Sequence, residues 1–244
     1  MWLKITRNYS PNFSLKKRSK QKIKFIILHY TGMRDETLAI KRLCNERSKV
    51  SAHYFIRKNG EILNLVPDLY EAWHAGKSQW KNFNSLNKYS IGIEIQNSGH
   101  NNNFENFQLK QLSSLSKLLK KLTTVYKINF KNILGHSDIA PERKKDPGEK
   151  FPWKKFYKKR LAFGHNLDEK KLRKLRLVRI DSKDKKEFLR KLYQLGYVRI
   201  KSLNEENSNK TLIESFQRRF RQNLVNGRID KECLIIVKNL VKSN

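Results

Sequence analysis

Lys24-Phe25-Ile26-Ile27-Leu28-His29-Tyr30-Thr31 is a short apolar run rich in β-branched residues, closed by Gly32. Too short for a stable helix and bounded by a glycine, it reads as a strand buried in a sheet, with His29 at its C-terminal end. Downstream, Glu36 to Arg47 lacks Gly and Pro and repeats apolar residues at 38, 39, 40, 43 and 44, which predicts a helix packed on that sheet. Ala52 to Ile56 and Ile62 to Val66 flank the turn Lys58-Asn59-Gly60-Glu61 and predict a hairpin. Ser90 to Gln96 predicts another strand, carrying Glu94 inside an apolar run. Phe107 to Tyr126 has Leu at 109, 112, 115, 118, 119 and 122, the spacing of a helix with one buried face. Ile133-Leu134-Gly135-His136 gives a last short strand, followed by a Pro-containing loop from Ser137 to Trp153. Strands mixed with helices over residues 20–160 predict an α/β domain with a mixed central β-sheet flanked by helices.

In such sheets the residues at strand ends and in the following loops build the functional sites. His29, His136 and Asp146 occupy such positions. Two imidazoles and one carboxylate leave a fourth tetrahedral position for water, the donor set of a catalytic zinc. No H-E-x-x-H signature is present, and 107 residues separate the two histidines, so only the fold can assemble the cluster. Spacing alone equally allows surface histidines, with Asp146-Pro147-Gly148 as a simple turn. Glu94 is open in the same way. Gly92 and Gln96 share its strand face while Ile91, Ile93 and Ile95 share the other, a pattern compatible with a catalytic carboxylate or with an exposed edge.

The 244 residues carry 54 basic and 22 acidic side chains, a formal charge of +32, enough to attract an anionic partner. The excess runs through both halves, with 33 basic and 12 acidic residues in 1–165 and 21 and 10 in 166–244, and a Lys-, Asn- and Ile-rich composition can also arise without selection for binding. No Cys/His finger spacing, RNP-like aromatic pattern or basic-region heptad is present, so no specific nucleic-acid partner is expected. Two cysteines, Cys44 and Cys233, do not make a disulfide framework. No run approaches the roughly 18 apolar residues of a membrane span. Met1 to Lys24 lacks the apolar core of a secretory signal, which favours a cytoplasmic location over the periplasm or cell envelope.

Five blocks carry a resemblance: Phe25 to Thr31, Ser51 to Phe55, Trp73 to Gly76, Ser90 to Glu94, and Gly135-His136-Ser137-Asp138-Ile139-Ala140-Pro141-Glu142-Arg143-Lys144-Lys145-Asp146-Pro147-Gly148. Together, over about residues 8–157, they resemble the zinc-dependent N-acetylmuramoyl-L-alanine amidases of type 2, relatives of the peptidoglycan recognition proteins. The resemblance implies one zinc ion per chain, held by His29, His136 and Asp146. It implies Glu94 as the base that takes the proton of the attacking water and Lys144 as the cation beside the developing oxyanion. His53, Trp73, His74 and Asn97 fall in or beside matching blocks and are expected to line the substrate groove. The implied reaction is hydrolysis of the bond between the muramoyl lactyl group and L-alanine of bacterial peptidoglycan, in wall turnover or in recycling of anhydromuropeptides. A noncatalytic peptidoglycan receptor of the same fold is the alternative, and it is expected to lack part of the metal set.

Residues 1–165 are therefore expected as the catalytic domain and 166–182 as a charged linker. Residues 183–244 are expected as a small all-α domain. Phe188, Leu189, Leu192 and Leu195 have helical spacing up to Gly196, and two more periodic segments follow, from Thr211 to Arg221 and from Asp230 to Val241. Leu195-Gly196-Tyr197, Ile213 to Gln217 and Asn226-Gly227-Arg228-Ile229-Asp230 resemble the three-helix peptidoglycan-binding module often attached to cell-wall hydrolases. About 60 residues sit near the lower limit for an independent core, so these helices lean on their own apolar cluster or on the catalytic domain.

Overall fold

The structure, a computed structural model, describes residues 3–199 and 205–243, and side chains within these except at 205–208. In chain order run β1 (Ile5–Arg7), β2 (Phe13–Ser14), β3 (Phe25–Tyr30), α1 (Glu36–Cys44), β4 (Tyr54–Ile56), β5 (Ile62–Asn64), β6 (Glu71–Ala72), β7 (Gln79–Trp80), β8 (Phe83–Asn84) and β9 (Ser90–Ile95). They are followed by α2 (Leu109–Tyr126), β10 (Ile133–Gly135), α3 (His136–Ile139), α4 (Trp153–Lys158), α5 (Glu169–Leu175), α6 (Ser182–Leu195), α7 (Glu205–Phe220) and α8 (Lys231–Lys242).

The main sheet has the order β1-β5-β4-β9-β3-β10. It is mixed: β3 runs parallel to both β9 and β10, β4 is parallel to β9, and β4 and β5 form the expected antiparallel hairpin. The edge strand β1, parallel to β5, is three residues of Ile-Thr-Arg and has no apolar period of its own to betray it.

β3 is a continuous apolar run because both of its faces are covered. Ile26 and Leu28 join Leu115, Leu118, Leu119 and Leu122 of α2 in one cluster. Phe25 and Ile27 face the other way and join Phe188 of α6, Phe216 of α7 and Val237 of α8 in a second. Each fully buried Ile, Leu or Phe contributes about 1.5–3 kcal/mol, so the C-terminal helices and the sheet stabilise one another through a shared core. The charged segment 166–182, expected as a linker, carries α5, which buries Leu172 in that same core. Arg176 then pairs with the buried Glu232 of α8 through Nε and Nη2 at 2.7 and 2.8 Å. Both cysteines are free thiols, and no helix among the described residues is long and apolar enough to cross a membrane.

Candidate active site

Strand register brings the chemistry together. Glu94 on β9 is paired with His29 on β3, and Gly135 on β10 is paired with Leu28. His29, Glu94 and His136, the residue after Gly135, therefore lie side by side at the C-terminal ends of three adjacent parallel strands. Asp146 arrives from the loop after α3, where its carbonyl accepts the Ser137 N–H at 2.8 Å.

The Nδ1 atoms of His29 and His136 lie 2.9 Å apart, and Asp146 Oδ2 is 3.0 Å from the first and 3.1 Å from the second. All three residues are buried. The outer nitrogen of each ring has its own partner: His136 Nε2 lies 3.1 Å from the Ala75 carbonyl, and His29 Nε2 lies 3.0 Å from His74 Nδ1. A carbonyl only accepts, so His136 Nε2 carries the proton and its Nδ1 presents a lone pair. Lone pairs and a carboxylate oxygen converging at 3 Å repel unless a cation sits among them, so this donor set fits a metal ion. Among the described residues it is the one His/Cys/Asp/Glu cluster able to hold a metal.

Electrostatics separate the two carboxylates. Burial opposes the charge of Asp146, but His136 and His29 more than offset it and hold its carboxyl well below the usual range. Burial lowers the His29 imidazole to about 4, with His136 adding to the shift. Glu94 is pushed up to about 8, first by burial and then by the Asp146 charge, against a smaller opposing pull from Lys144. Its Oε2 is sealed from solvent and has no hydrogen-bond partner among the described residues. A sealed carboxyl oxygen without a partner, beside the three converging ligands, is free to exchange a proton with a group brought to them. Lys144, half-buried, stands two residues before Asp146, near enough for its charge to bear on both Glu94 and His29.

Three residues expected to line the groove, His53, His74 and Asn97, are buried and hydrogen-bonded within the fold. His53 is fully buried: its Nδ1 accepts the Gly92 N–H at 3.0 Å, and its Nε2 lies 3.0 Å from the Tyr70 carbonyl and 2.9 Å from Arg18 Nη2. His74 sits behind the cluster, between His29 Nε2 and Ser90 Oγ, the latter at 3.2 Å. The order of donors is consistent, since the Ser90 hydroxyl donates its own hydrogen bond to the Leu86 carbonyl at 2.6 Å. Asn97 is buried and shapes its loop, with Nδ2 donating to the Glu105 carbonyl and Oδ1 accepting the Gly99 N–H. These internal bonds fix the three side chains in the fold. Trp73 keeps partial exposure and anchors its indole N–H on Ser14 Oγ at 3.2 Å.

Sequence reasoning missed Ser90 and the Ala75 carbonyl as partners that orient the ligand rings, and it missed Arg143. The Arg143 guanidinium donates to the carbonyls of Ala75 and Lys77, bracing the segment on which His136 leans. A backbone carbonyl leaves no mark in a sequence, and one Arg among 54 basic residues carries no signal.

Residues 19–149 match the family described as N-acetylmuramoyl-L-alanine amidase. The chain is 32% identical over 233 residues to N-acetylmuramoyl-L-alanine amidase AmiD of Escherichia coli (strain K12), covering 91% of this chain and 83% of that one. It is similar in structure to AmiD from E. coli in complex with the substrate anhydro-N-acetylmuramic acid-L-Ala-D-gamma-Glu-L-Lys, with a TM-score of 0.78, 30% identity, and 94% and 92% of the two chains covered. It is equally similar to AmpDh3 from Pseudomonas aeruginosa in complex with anhydromuramic pentapeptide, with a TM-score of 0.78, 29% identity and 96% of each chain covered. Both likenesses extend across nearly the whole chain, sheet and C-terminal helices alike.

Proposed function

The chain belongs to the N-acetylmuramoyl-L-alanine amidase family, and from that premise we propose that it cleaves muropeptides between the lactyl group and L-alanine at a zinc ion held by His29, His136 and Asp146. The observation that carries the reading is the convergence of two imidazole nitrogens and one carboxylate oxygen within 3.1 Å of one another. Bound there, zinc would polarise the scissile carbonyl and lower the pKa of water towards about 7, so that a neutral amide is attacked without extreme pH. Glu94 would take the proton of the attacking water on Oε2, which has no partner among the described residues, and hand it to the departing amine of L-alanine. A carboxyl raised towards neutrality suits both halves of that task. Lys144 presents a fixed positive charge where the carbonyl oxygen becomes an oxyanion, so it stabilises the intermediate more than the ground state. His74 and the Ala75 carbonyl keep the two ligand imidazoles in the tautomer and orientation that coordination needs.

The substrate class follows from the anhydromuropeptides in the similar complexes, both of which match this chain through its C-terminal helices. The resemblance of α6, α7 and α8 to a peptidoglycan-binding module adds a second contact with the polymer, which raises the effective concentration of substrate at the site.

Elemental analysis of protein purified without chelator, paired with mass spectrometry of muropeptide digests, tests the reading. The expected result is about one zinc per chain, release of free stem peptide, loss of release after dialysis against chelator, and recovery on adding zinc. A chain that takes up no zinc and cleaves nothing with zinc present would overturn it.

A further inference from the structure

The two ligands His136 and Asp146 lie on one excursion of chain, which leaves the sheet after Gly135, the last residue of β10, and re-enters the core at Phe151. Side chains from α7 (Ser215, Arg219) and from the chain just past α6 (Tyr197) and α7 (Gln222) grip both ends of it. At the near end, Asp138 Oδ2 accepts the Gly135 N–H at 2.7 Å and the Arg219 Nη1 donor, while Asp138 Oδ1 accepts the Tyr197 hydroxyl at 2.6 Å. Arg219 Nη2 also donates to the Ile133 carbonyl at 3.0 Å. Ser215 Oγ donates to the Ser137 carbonyl at 2.7 Å, and the N–H of that same Ser137 is held by the Asp146 carbonyl. At the far end, Gln222 Nε2 donates to the carbonyls of Glu149 and Phe151.

We propose that Arg219, Tyr197 and Ser215 are positioning residues for the metal centre, acting through Asp138 and Ser137, so that the C-terminal helices are a working part of the catalytic site. The proposal rests on the zinc reading above. Its physical ground is the kind of contact used. Asp138, Arg219, Tyr197 and Ser215 are all buried. A buried ion pair is a poor device for mere docking, because an apolar contact of equal volume serves as well without desolvating two charges. What a bonded pair adds is direction. The Arg219 guanidinium lies over the Trp153 ring, 4.6 Å from its centroid, and its two amino groups reach different points of one turn of chain. That turn carries His136, and a ligand set functions only when its members are held within about 0.5 Å of the productive geometry.

The test compares full-length Tyr197→Phe, Ser215→Ala, Arg219→Lys and Arg219→Gln with the wild type. Zinc affinity of the apo-protein is read by competition with a chromophoric chelator, kcat and KM on an anhydromuramoyl tripeptide, and folding by circular dichroism. Tyr197→Phe and Ser215→Ala, each lacking one hydroxyl, are expected to fold, to bind zinc about 10-fold or more weakly, and to lose kcat with KM unchanged. Arg219→Lys, which keeps a charge for Asp138, is expected to recover part of what Arg219→Gln loses. Should Arg219→Gln fail to fold, the two hydroxyl deletions carry the test. Variants with lowered melting temperature but wild-type zinc affinity and kcat would reduce the contact to docking and overturn the proposal. A wild-type protein that binds no zinc would overturn the zinc reading itself, and with it this proposal, and is told apart by that first measurement.

Discussion

Glu94 and Asp146 are two carboxylates in one site with opposite environments. Asp146 Oδ2 lies 3.0 and 3.1 Å from the two ligand imidazole nitrogens and stays charged, whereas Glu94 is half-buried beside them with one sealed oxygen, Oε2, that has no partner among the described residues. Such a split separates roles, the charged carboxylate serving as ligand and the perturbed one as proton carrier. Glu94→Gln keeps the volume and removes the proton carrier. It is expected to retain zinc and lose turnover by about 100- to 10,000-fold, the usual share of a general base. His136→Ala is expected to lose the metal as well. Parallel zinc analysis and steady-state kinetics separate the two signatures, and a Glu94→Gln enzyme as active as wild type would remove Glu94 from the mechanism.

At the level of elements, β9 shows why a glycine stands inside a buried strand. A Cβ built on Gly92 would lie 2.3 Å from His74 Cγ and 2.6 Å from both Cδ2 and Nδ1, so the His74 ring rests directly on the strand backbone. Gly92 also exchanges backbone hydrogen bonds with His53, donating to its ring and accepting from its N–H. The strand is thereby the floor beneath the histidine that orients His29. Gly92→Ala is expected to cost about 1–3 kcal/mol, the usual range for overpacking, and to displace His74 from His29. Denaturant unfolding of the metal-free protein reads the first effect and zinc titration the second. An unchanged midpoint would mean that the ring has room to move. A glycine within a strand pattern signals close approach of something to the backbone, but the pattern does not say that the visitor is His74, eighteen residues upstream.

For the molecule as a whole, burial of neutral imidazoles sets the response to acid. Desolvation by burial, with nearby cationic partners adding to it, holds His53 and His74 well below their ordinary pKa, and burial lowers His165, whose Nε2 lies 3.1 Å from the Phe220 carbonyl. In the unfolded chain each protonates near 6.5. Below that pH the unfolded state binds more protons than the folded one, so stability is fully present above about 6.5 and falls on acidification. Glu94 works in the opposite sense, because its raised carboxyl keeps a proton in the folded state that the unfolded chain releases. One carboxyl is outweighed by three imidazoles. The melting temperature of the metal-free protein is expected to fall between about pH 7.5 and pH 5, and a flat profile in differential scanning calorimetry would show that these histidines are not held neutral.

Local pattern in the sequence was sufficient for the buried strand at 25–30, the leucine-faced helix at 109–126 and the hairpin around Asn59-Gly60, while His29, His136 and Asp146 stood out as a set through the family resemblance of the blocks that hold them. The elements are legible because periodicity and turn chemistry act over a few residues. Only the tertiary structure decided that Glu94 and His29 stand in register, since strand neighbours are chosen by packing and not by proximity in the chain. It likewise decided that His53, His74 and Asn97 turn inward: a polar residue looks the same in a sequence whether its partner is a ligand or a backbone carbonyl. The position of the C-terminal helices belongs to the same class. Phe25 and Ile27 present an apolar face that some element must cover, and that α6, α7 and α8 cover it, with Arg219 reaching Asp138 across 81 residues, follows from burial of that face and from no feature local to either segment.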